Sequence, residues 1–149
     1  MKSNPYNPIQ ILFMIVFGCL ITSCSGIQNQ PNARNGSITV DFHFEEQNMC
    51  NGISPRITLG NVPPGTKQFR ISLKDIDNPV FNHGGGIVQS DNTNIINAGA
   101  LDSYYGPCPP KDFLGQYKYC FKVEALDSVG RIISWGRNCK LCGWGNMGK

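Results

Sequence analysis

Long hydrophobic runs and runs of one charge are both scarce in this sequence. The apolar-rich segment at residues 9–21 covers 13 residues, whereas a stable membrane-spanning helix needs about 20. The 13 basic and 10 acidic residues are spread along the chain without runs, whereas a nucleic-acid-binding domain is expected to carry a basic face. The composition therefore argues against a membrane-spanning helix and against a nucleic-acid partner.

Helical periodicity is also missing after the first 23 residues, where no segment of helical length repeats apolar residues at i, i+3, i+4 and i+7. Alternation of apolar and polar residues, which is typical of a half-buried strand, occurs at residues 38–44, 69–74 and 117–124. Shorter strands are predicted at residues 56–59, 86–89, 93–96 and 131–135. We therefore expect a mainly β protein, an antiparallel sandwich with short or absent helices.

The N-terminus has the features of an export signal. Lys2 precedes the apolar segment, and small residues lead into Cys24. The sequence around Cys24 resembles a bacterial lipoprotein signal, in which the cysteine is acylated; a plain secretory signal is the alternative. We predict a signal peptide at residues 1–23, a lipidated N-terminus and tether at 24–36, and one domain at 37–149. The protein is then exported and anchored by lipid in the cell envelope, facing the periplasm or the exterior.

The cysteines agree with export, because disulfides persist in oxidising compartments. Of seven cysteines, five remain after Cys19 and Cys24 are set aside, so at least one is free or bonded to another molecule. Cys139 and Cys142 form a C-x-x-C motif, which is found in redox proteins and in zinc sites. Because no βαβ pattern surrounds the motif, a disulfide involving these two thiols is the favoured prediction. No metal or cofactor is expected.

Four blocks of sequence resemble the phosphatidylethanolamine-binding protein family, which includes the bacterial Raf-kinase-inhibitor-like proteins. The blocks are residues 50–55 (CNGISP), residues 62–79 (VPPGTK leading to DIDNP), His83, and residues 106–110 followed by a strand that ends in ALD at 125–127. The resemblance implies a large antiparallel sheet with a smaller sheet beside it. It also implies a pocket at one end of the fold for a small anion, such as phosphate or a phospholipid head group.

The resemblance assigns roles to individual residues of that pocket. Asp75, or a hydrogen-bond network that includes it, orients the ring of His83, and the other ring nitrogen of His83 faces the anion. Gly106 lets the backbone approach the ligand, and Pro109 with Pro110 forms an apolar border of the pocket. The remaining candidates for ligand binding are Asp77, Tyr117 and Tyr119. Two alternatives stay open: residues 75–79 form a turn whose aspartates cap backbone N–H groups, and Tyr119 packs in the core.

The sequence departs from the family pattern at two positions. Tyr117 stands where the family has a second histidine, so a chargeable donor is replaced by a neutral hydroxyl. Gly84 stands where a tryptophan follows the first histidine, inside the run Gly84–Gly85–Gly86. Both departures predict a pocket that is wider or partly degenerate.

The leading functional hypothesis is a non-enzymatic binding protein of the cell envelope, because no nucleophile, base and orienting group can be assigned together. Its partner is a small anionic ligand or a phospholipid head group, and its lipid anchor joins it to a membrane. One alternative is an inhibitor of an envelope protease or another enzyme that binds a protein partner through its surface. The other is a thiol redox or zinc protein that uses Cys139 and Cys142.

Overall fold

The structure is a computed structural model that describes residues 38–111 and 115–144, together with the backbone of residues 146 and 147. Its elements in these ranges are β1 (Thr39–Phe42), a 3-10 helix (Glu46–Asn48), β2 (Ile57–Gly60), β3 (Gln68–Asp75), β4 (Asn82–Gln89), β5 (Ile95–Ile96), β6 (Tyr117–Leu126), β7 (Ile132–Gly143) and β8 (Asn146–Met147). The predicted signal peptide, the tether and Cys24 lie outside the described residues. Within the described ranges, no helix has the length and hydrophobicity to cross a bilayer.

The strands form two antiparallel sheets. The smaller sheet has the order β1-β2-β5, and the larger sheet has the order β4-β3-β6-β7-β8. The strand pairings are antiparallel in both sheets. The predicted mainly β fold, with a large antiparallel sheet beside a smaller one, is confirmed.

The core consists of the apolar residues that alternate along the strands. Val40 and Phe42 of β1 and Phe69, Ile71 and Leu73 of β3 are all buried, because every second residue of a strand points to the same face. The ring of Phe42 meets the ring of Phe121 from β6 edge to face, with 4.9 Å between ring centroids. Burial of each such side chain stabilises the fold by about 1.5–3 kcal/mol.

Two strands are longer than the sequence pattern predicts. β4 begins at Asn82 rather than at residue 86 and includes the three glycines, and β7 continues through Cys139 and Cys142 to Gly143. Both extensions are paired with a neighbouring strand, β4 with β3 and β7 with β6. Glycine, asparagine and cysteine carry little of the apolar alternation that marks a strand, so these segments lack a local signal.

The predicted involvement of Cys142 in a disulfide is wrong. Cys139 is bonded to Cys120, Cys50 is bonded to Cys108, and Cys142 is the free thiol among the described cysteines. Cys120 and Cys139 are directly opposite each other in the β6–β7 register. Residues three apart on one strand point to opposite faces about 10 Å apart, too far for a disulfide, so Cys139 cannot reach Cys142.

Candidate functional site

The ends of three strands meet at one end of the larger sheet. β3 ends at Asp75, while β4 begins at Asn82 and β6 begins at Tyr117. Because β4 and β6 both run antiparallel to β3, their first residues lie beside the last residues of β3. Asp75 and Tyr119 are directly opposite each other in this register.

A cavity of about 250 Å³ opens at this end of the sheet. It is lined by two charged or chargeable side chains, five aromatic or amide side chains of the surrounding strands and loops, and two residues of the proline loop. The lining residues are Asp75, Asn78, Phe81, His83, Tyr105, Cys108, Pro110, Tyr117 and Tyr119. Pockets for drug-sized ligands have volumes of about 300–1,000 Å³, so this cavity suits a smaller group. The structure thus brings together five of the eight residues predicted for ligand binding.

Asp75 is a buried carboxylate on the core-facing side of β3. One of its oxygens, Oδ1, accepts hydrogen bonds from the backbone N–H groups of Asp77 at 2.8 Å and Asn78 at 2.9 Å. Asp75 therefore caps the turn after β3, as the alternative interpretation predicts, and it also lines the cavity. The turn and the cavity lining are compatible, because the two oxygens of Asp75 face different groups.

His83 is oriented by a backbone carbonyl rather than by Asp75. Its Nδ1 lies 2.8 Å from the carbonyl oxygen of Tyr105 and must carry a proton to donate to it. The other ring nitrogen, Nε2, is 4.0 Å from Oδ2 of Asp75. The expectation that the carboxylate holds the ring is therefore corrected: Nε2, with Asp75 beside it, is the nitrogen available to a ligand.

The glycine run brings the loop at residues 101–105 against β4. Gly84 has a φ of 68°, and a Cβ there would lie 1.7 Å from the carbonyl oxygen of Ser103. Gly85 and Ser103 exchange two backbone hydrogen bonds, and the N–H of Tyr105 donates to the carbonyl of His83. Because Gly84 has no side chain, the loop can lie directly against β4. The carbonyl of Tyr105 then reaches Nδ1 of His83.

Tyr119 is buried and joins the cavity to the core. Its hydroxyl donates to Asp75 and accepts the N–H of Cys108; burial, and then the nearby charge of Asp75, raise the pKa of the phenol well above its usual value. The phenol therefore stays a neutral hydrogen-bond donor. Its ring contacts Phe44 and His83 edge to face, with centroid distances of 6.2 and 5.3 Å. Tyr119 both packs in the core and lines the cavity.

Three residues predicted for ligand binding lie outside the cavity lining. Asp77 uses Oδ2 to accept the backbone N–H of Lys118 at 2.6 Å. Gly106 packs against the chain near the 3-10 helix, where a Cβ would lie 1.8 Å from the carbonyl oxygen of Asn48. Pro109 is fully buried, and its carbonyl accepts the indole N–H of Trp144 at 2.7 Å. These three residues shape the loops around the cavity instead of facing a ligand.

Sequence reasoning missed the aromatic walls of the cavity. Phe81 and Tyr105 flank His83, with ring centroids 4.7 and 6.1 Å from the imidazole. These rings form an aromatic wall beside His83, although Gly84 stands where the sequence resemblance implied a tryptophan. Phe81 precedes β4, and the sequence has no strand signal at residues 82–85, so alternation could not place Phe81 beside His83. Tyr105 is 22 residues from His83 and has no local signal either.

A larger cavity of about 450 Å³ lies elsewhere on the fold and contains none of the predicted residues. Its lining mixes acidic and basic groups, including Asp41, Glu45, Arg56 and Lys140, with His43. The amine of Lys140 is 3.8 Å from the Asp41 carboxylate, so part of this charge is internally balanced. The smaller cavity, which encloses a buried imidazole beside a buried carboxylate, is the better candidate for a specific site.

The described part of the chain has no group of three or more His, Cys, Asp or Glu side chains arranged to bind a metal. Cys139 is consumed by the disulfide with Cys120, so it cannot ligate zinc or cycle with Cys142. Burial raises the pKa of the Cys142 thiol to about 11, and thiolate is the reactive form. The redox or zinc alternative, which needs Cys139 and Cys142 together, is therefore disfavoured.

Comparisons with known proteins agree with the resemblance seen in the sequence. No family model matches the chain. A UPF0098 protein of Aquifex aeolicus (strain VF5) is 34% identical over 109 residues, which cover 54% of this chain and 60% of that protein. A crystal structure of a phosphatidylethanolamine-binding protein homolog from Chlamydia trachomatis D/UW-3/CX superposes with a TM-score of 0.53 at 17% identity, covering 73% of this chain and 99% of the other. The chain thus spans about three fifths of the length of its curated relative, and its fold is that of the Chlamydia protein.

Proposed function

We propose, from the premise that this chain has the phosphatidylethanolamine-binding protein fold, that it binds a small anionic group in the cavity at Asp75 and His83. The group is a phosphate or the phosphate of a phospholipid head group. The observation that carries the proposal is the pairing of two buried side chains, a carboxylate and an imidazole, in a cavity of about 250 Å³. A pocket in which a few polar side chains converge is the usual form of a small-molecule site.

The chemistry of the cavity favours a particular form of phosphate. Nδ1 of His83 is occupied by the Tyr105 carbonyl, so a protonated ring donates to the anion through Nε2. The carboxylate of Asp75 repels a dianion but accepts a hydrogen bond from a phosphate O–H. The monoanion of phosphate or of a phosphomonoester satisfies both groups, because it has acceptor oxygens for His83 and a hydroxyl for Asp75. A phospholipid head group is a phosphodiester without a phosphate O–H, so its phosphate oxygens accept from His83 while an ammonium or hydroxyl group of the head group donates to Asp75.

The proposed role is binding rather than catalysis. Burial makes the Tyr119 phenol a poor acid, and no serine or cysteine in the cavity lining has a free nucleophilic group, since Cys108 is in a disulfide. The proposal includes export and a lipid anchor at Cys24, with the domain facing the periplasm or the exterior. The two disulfides support it, because disulfides form and persist in oxidising compartments.

Phosphate titration tests the cavity. We expect wild-type protein to bind inorganic phosphate and phosphoethanolamine in calorimetry, and His83→Ala to bind at least about ten-fold more weakly, because a charge-assisted hydrogen bond contributes about 1.5–3 kcal/mol. In the same titration followed by NMR, the imidazole signals of His83 should shift while those of His43 stay unchanged.

The matched control is His43→Ala, since the chain has two histidines and His43 lines the larger cavity. This variant should bind phosphate as the wild type does. Equal affinity of wild type and His83→Ala, or no binding by either, contradicts the proposal. A loss of binding in His43→Ala alone would instead place the anion in the larger cavity.

A further inference from the structure

The loop that joins β3 to β4 contributes Asn78 and Phe81 to the cavity lining and exposes three large apolar side chains. The exposed fractions of Ile76, Val80 and Phe81 are 44%, 91% and 42%; we call these three residues the apolar rim. Phe81 also lines the cavity, so the rim is continuous with the cavity wall. Isolated exposed apolar residues are common, but a cluster beside a binding site indicates an interaction surface.

The loop is held in place by the neighbouring strand. The N–H of Ile76 donates to the carbonyl of Lys118 at 2.8 Å, and the N–H of Lys118 donates to the Asp77 carboxylate at 2.6 Å. The N–H of Phe81 closes the loop on the carbonyl of Asn78 at 3.2 Å. The apolar rim is therefore fixed at the end of the sheet, with its side chains presented to the outside.

Two exposed lysines lie next to the apolar rim. Lys74 precedes Asp75 in β3, and Lys118 precedes Tyr119 in β6, and both alternate to the exposed face of the sheet. Leu141, which is 44% exposed, lies opposite Lys118 in the register. The acidic group of the loop, Asp77, is engaged by the Lys118 backbone. Apolar side chains flanked by lysines are the combination that binds the surface of an anionic bilayer.

We propose that the apolar rim, together with Lys74 and Lys118, docks onto a phospholipid bilayer that contains anionic lipid. The rim enters the head-group layer, the lysines contact lipid phosphates, and the mouth of the cavity opens at the level of the head groups. This inference rests on the proposed function and deepens it: the anion that the cavity receives belongs to a membrane lipid. A lipid anchor at the N-terminus tethers the chain but does not select which end of the sheet faces the bilayer.

A tryptophan placed in the apolar rim tests the docking. The full chain is mixed with vesicles of phosphatidylcholine and phosphatidylglycerol whose acyl chains are brominated, and tryptophan fluorescence is measured. The fluorescence of the wild type, which contains two tryptophans, is subtracted. Val80→Trp should show blue-shifted emission and roughly two-fold quenching, as expected for a side chain in the head-group and acyl boundary. The matched control is Val129→Trp, which is also exposed, at 71%. It lies in the turn after β6, at the far end of the sheet.

The lysines are tested in the Val80→Trp background. Lys74→Gln and Lys118→Gln should each lower the equilibrium constant for docking by about five-fold, the equivalent of about 1 kcal/mol per basic residue at an anionic surface. Replacement of all phosphatidylglycerol by phosphatidylcholine should lower it by the product of the two effects, roughly 25-fold. Quenching that is unaffected by the lysine substitutions and by the removal of anionic lipid overturns the electrostatic part of the proposal.

Equal quenching of Val80→Trp and Val129→Trp overturns the docking orientation. So does a blue shift of Val80→Trp without vesicles that depends on protein concentration, since the rim then contacts a second copy of the chain. Phosphate titration separates these failures from failure of the proposed function. If His83→Ala loses phosphate binding while the two tryptophans are quenched equally, the cavity function stands and membrane docking fails. If Val80→Trp alone is quenched while His83→Ala binds phosphate normally, docking stands and the cavity function fails.

Discussion

At the scale of single residues, Asp75 shows how one side chain can serve both structure and site. Its position continues the buried alternation of β3, one residue beyond the strand that the sequence pattern predicts. That carboxylate is stabilised by two backbone N–H groups and the hydroxyl of Tyr119. A buried charge without such donors is strongly unfavourable. The turn and the cavity therefore depend on the same hydrogen bonds.

Gly106 gives a prediction at this scale. Gly106→Ala is expected to lower the free energy of unfolding by about 1–3 kcal/mol, because the added methyl group overpacks a tight contact against the Asn48 carbonyl. The affinity of the folded fraction for phosphate should stay near that of the wild type, since Gly106 lies outside the cavity lining. Urea unfolding and calorimetry measure the two quantities. A large loss of phosphate affinity without a decrease in the free energy of unfolding would indicate that Gly106 is part of the ligand site.

At the scale of structural elements, the two disulfides hold different parts of the fold. Cys120 and Cys139 join neighbouring strands that are already paired, and they are 19 residues apart. Cys50 and Cys108 join two loops that are 58 residues apart, and Cys108 lines the cavity. The N–H of Cys50 also donates to the Pro107 carbonyl, and the N–H of Gly106 donates to the Cys50 carbonyl. The Cys50–Cys108 bond therefore positions one wall of the cavity.

Paired serine substitutions separate the two roles. Loss of Cys50–Cys108 should destabilise the fold by about 4 kcal/mol, and loss of Cys120–Cys139 by about 3 kcal/mol, according to the closed-loop lengths. In protein that remains folded, only the Cys50→Ser/Cys108→Ser variant is expected to bind phosphate more weakly. Thermal unfolding and phosphate calorimetry provide the measurements. Equal affinity of both double variants would show that the disulfide does not position the cavity wall.

At the scale of the whole molecule, several surface carboxylates are stabilised in their charged form. Burial tends to raise the pKa of Glu124, but hydrogen bonds from Lys122 and Arg70 outweigh it and hold the pKa below its usual value. The backbone N–H of Arg131 lowers the pKa of Asp127, and the Thr93 hydroxyl lowers that of Asp91. Since the folded state favours the deprotonated form, these groups contribute stability above their unfolded pKa values of about 4.

We therefore expect the free energy of unfolding to fall as the pH drops through about 4 and below. Glu124→Gln should lower stability at pH 7 by about 1 kcal/mol or less and should reduce the loss of stability at acid pH. Chemical unfolding at a series of pH values measures both effects. Glu46→Gln, at an exposed position of the 3-10 helix, is the control and should follow the wild-type curve. Parallel curves for Glu124→Gln and wild type would contradict the assignment.

Much of this architecture could be predicted from the sequence, and particular residues show where the prediction stopped. The alternation of Phe69, Ile71 and Leu73 identified a strand and its buried face, because side-chain direction in a strand has a period of two. The family-like blocks led to Asp75 and His83, which do line one cavity. The same blocks misplaced Gly106 and Pro109, because neighbours in a loop sequence can face different parts of the fold.

The sequence by itself determined the strands with clear alternation and their inward faces, since these follow from local spacing, while the resemblance to a family led to Asp75 and His83. Only the tertiary structure decided which distant groups meet: the Tyr105 carbonyl on Nδ1 of His83, and Cys139 with Cys120 instead of Cys142. Those contacts depend on strand register and on a loop that lies against the glycines of β4. Register and loop docking arise from the packing of the whole chain, so no short segment encodes them.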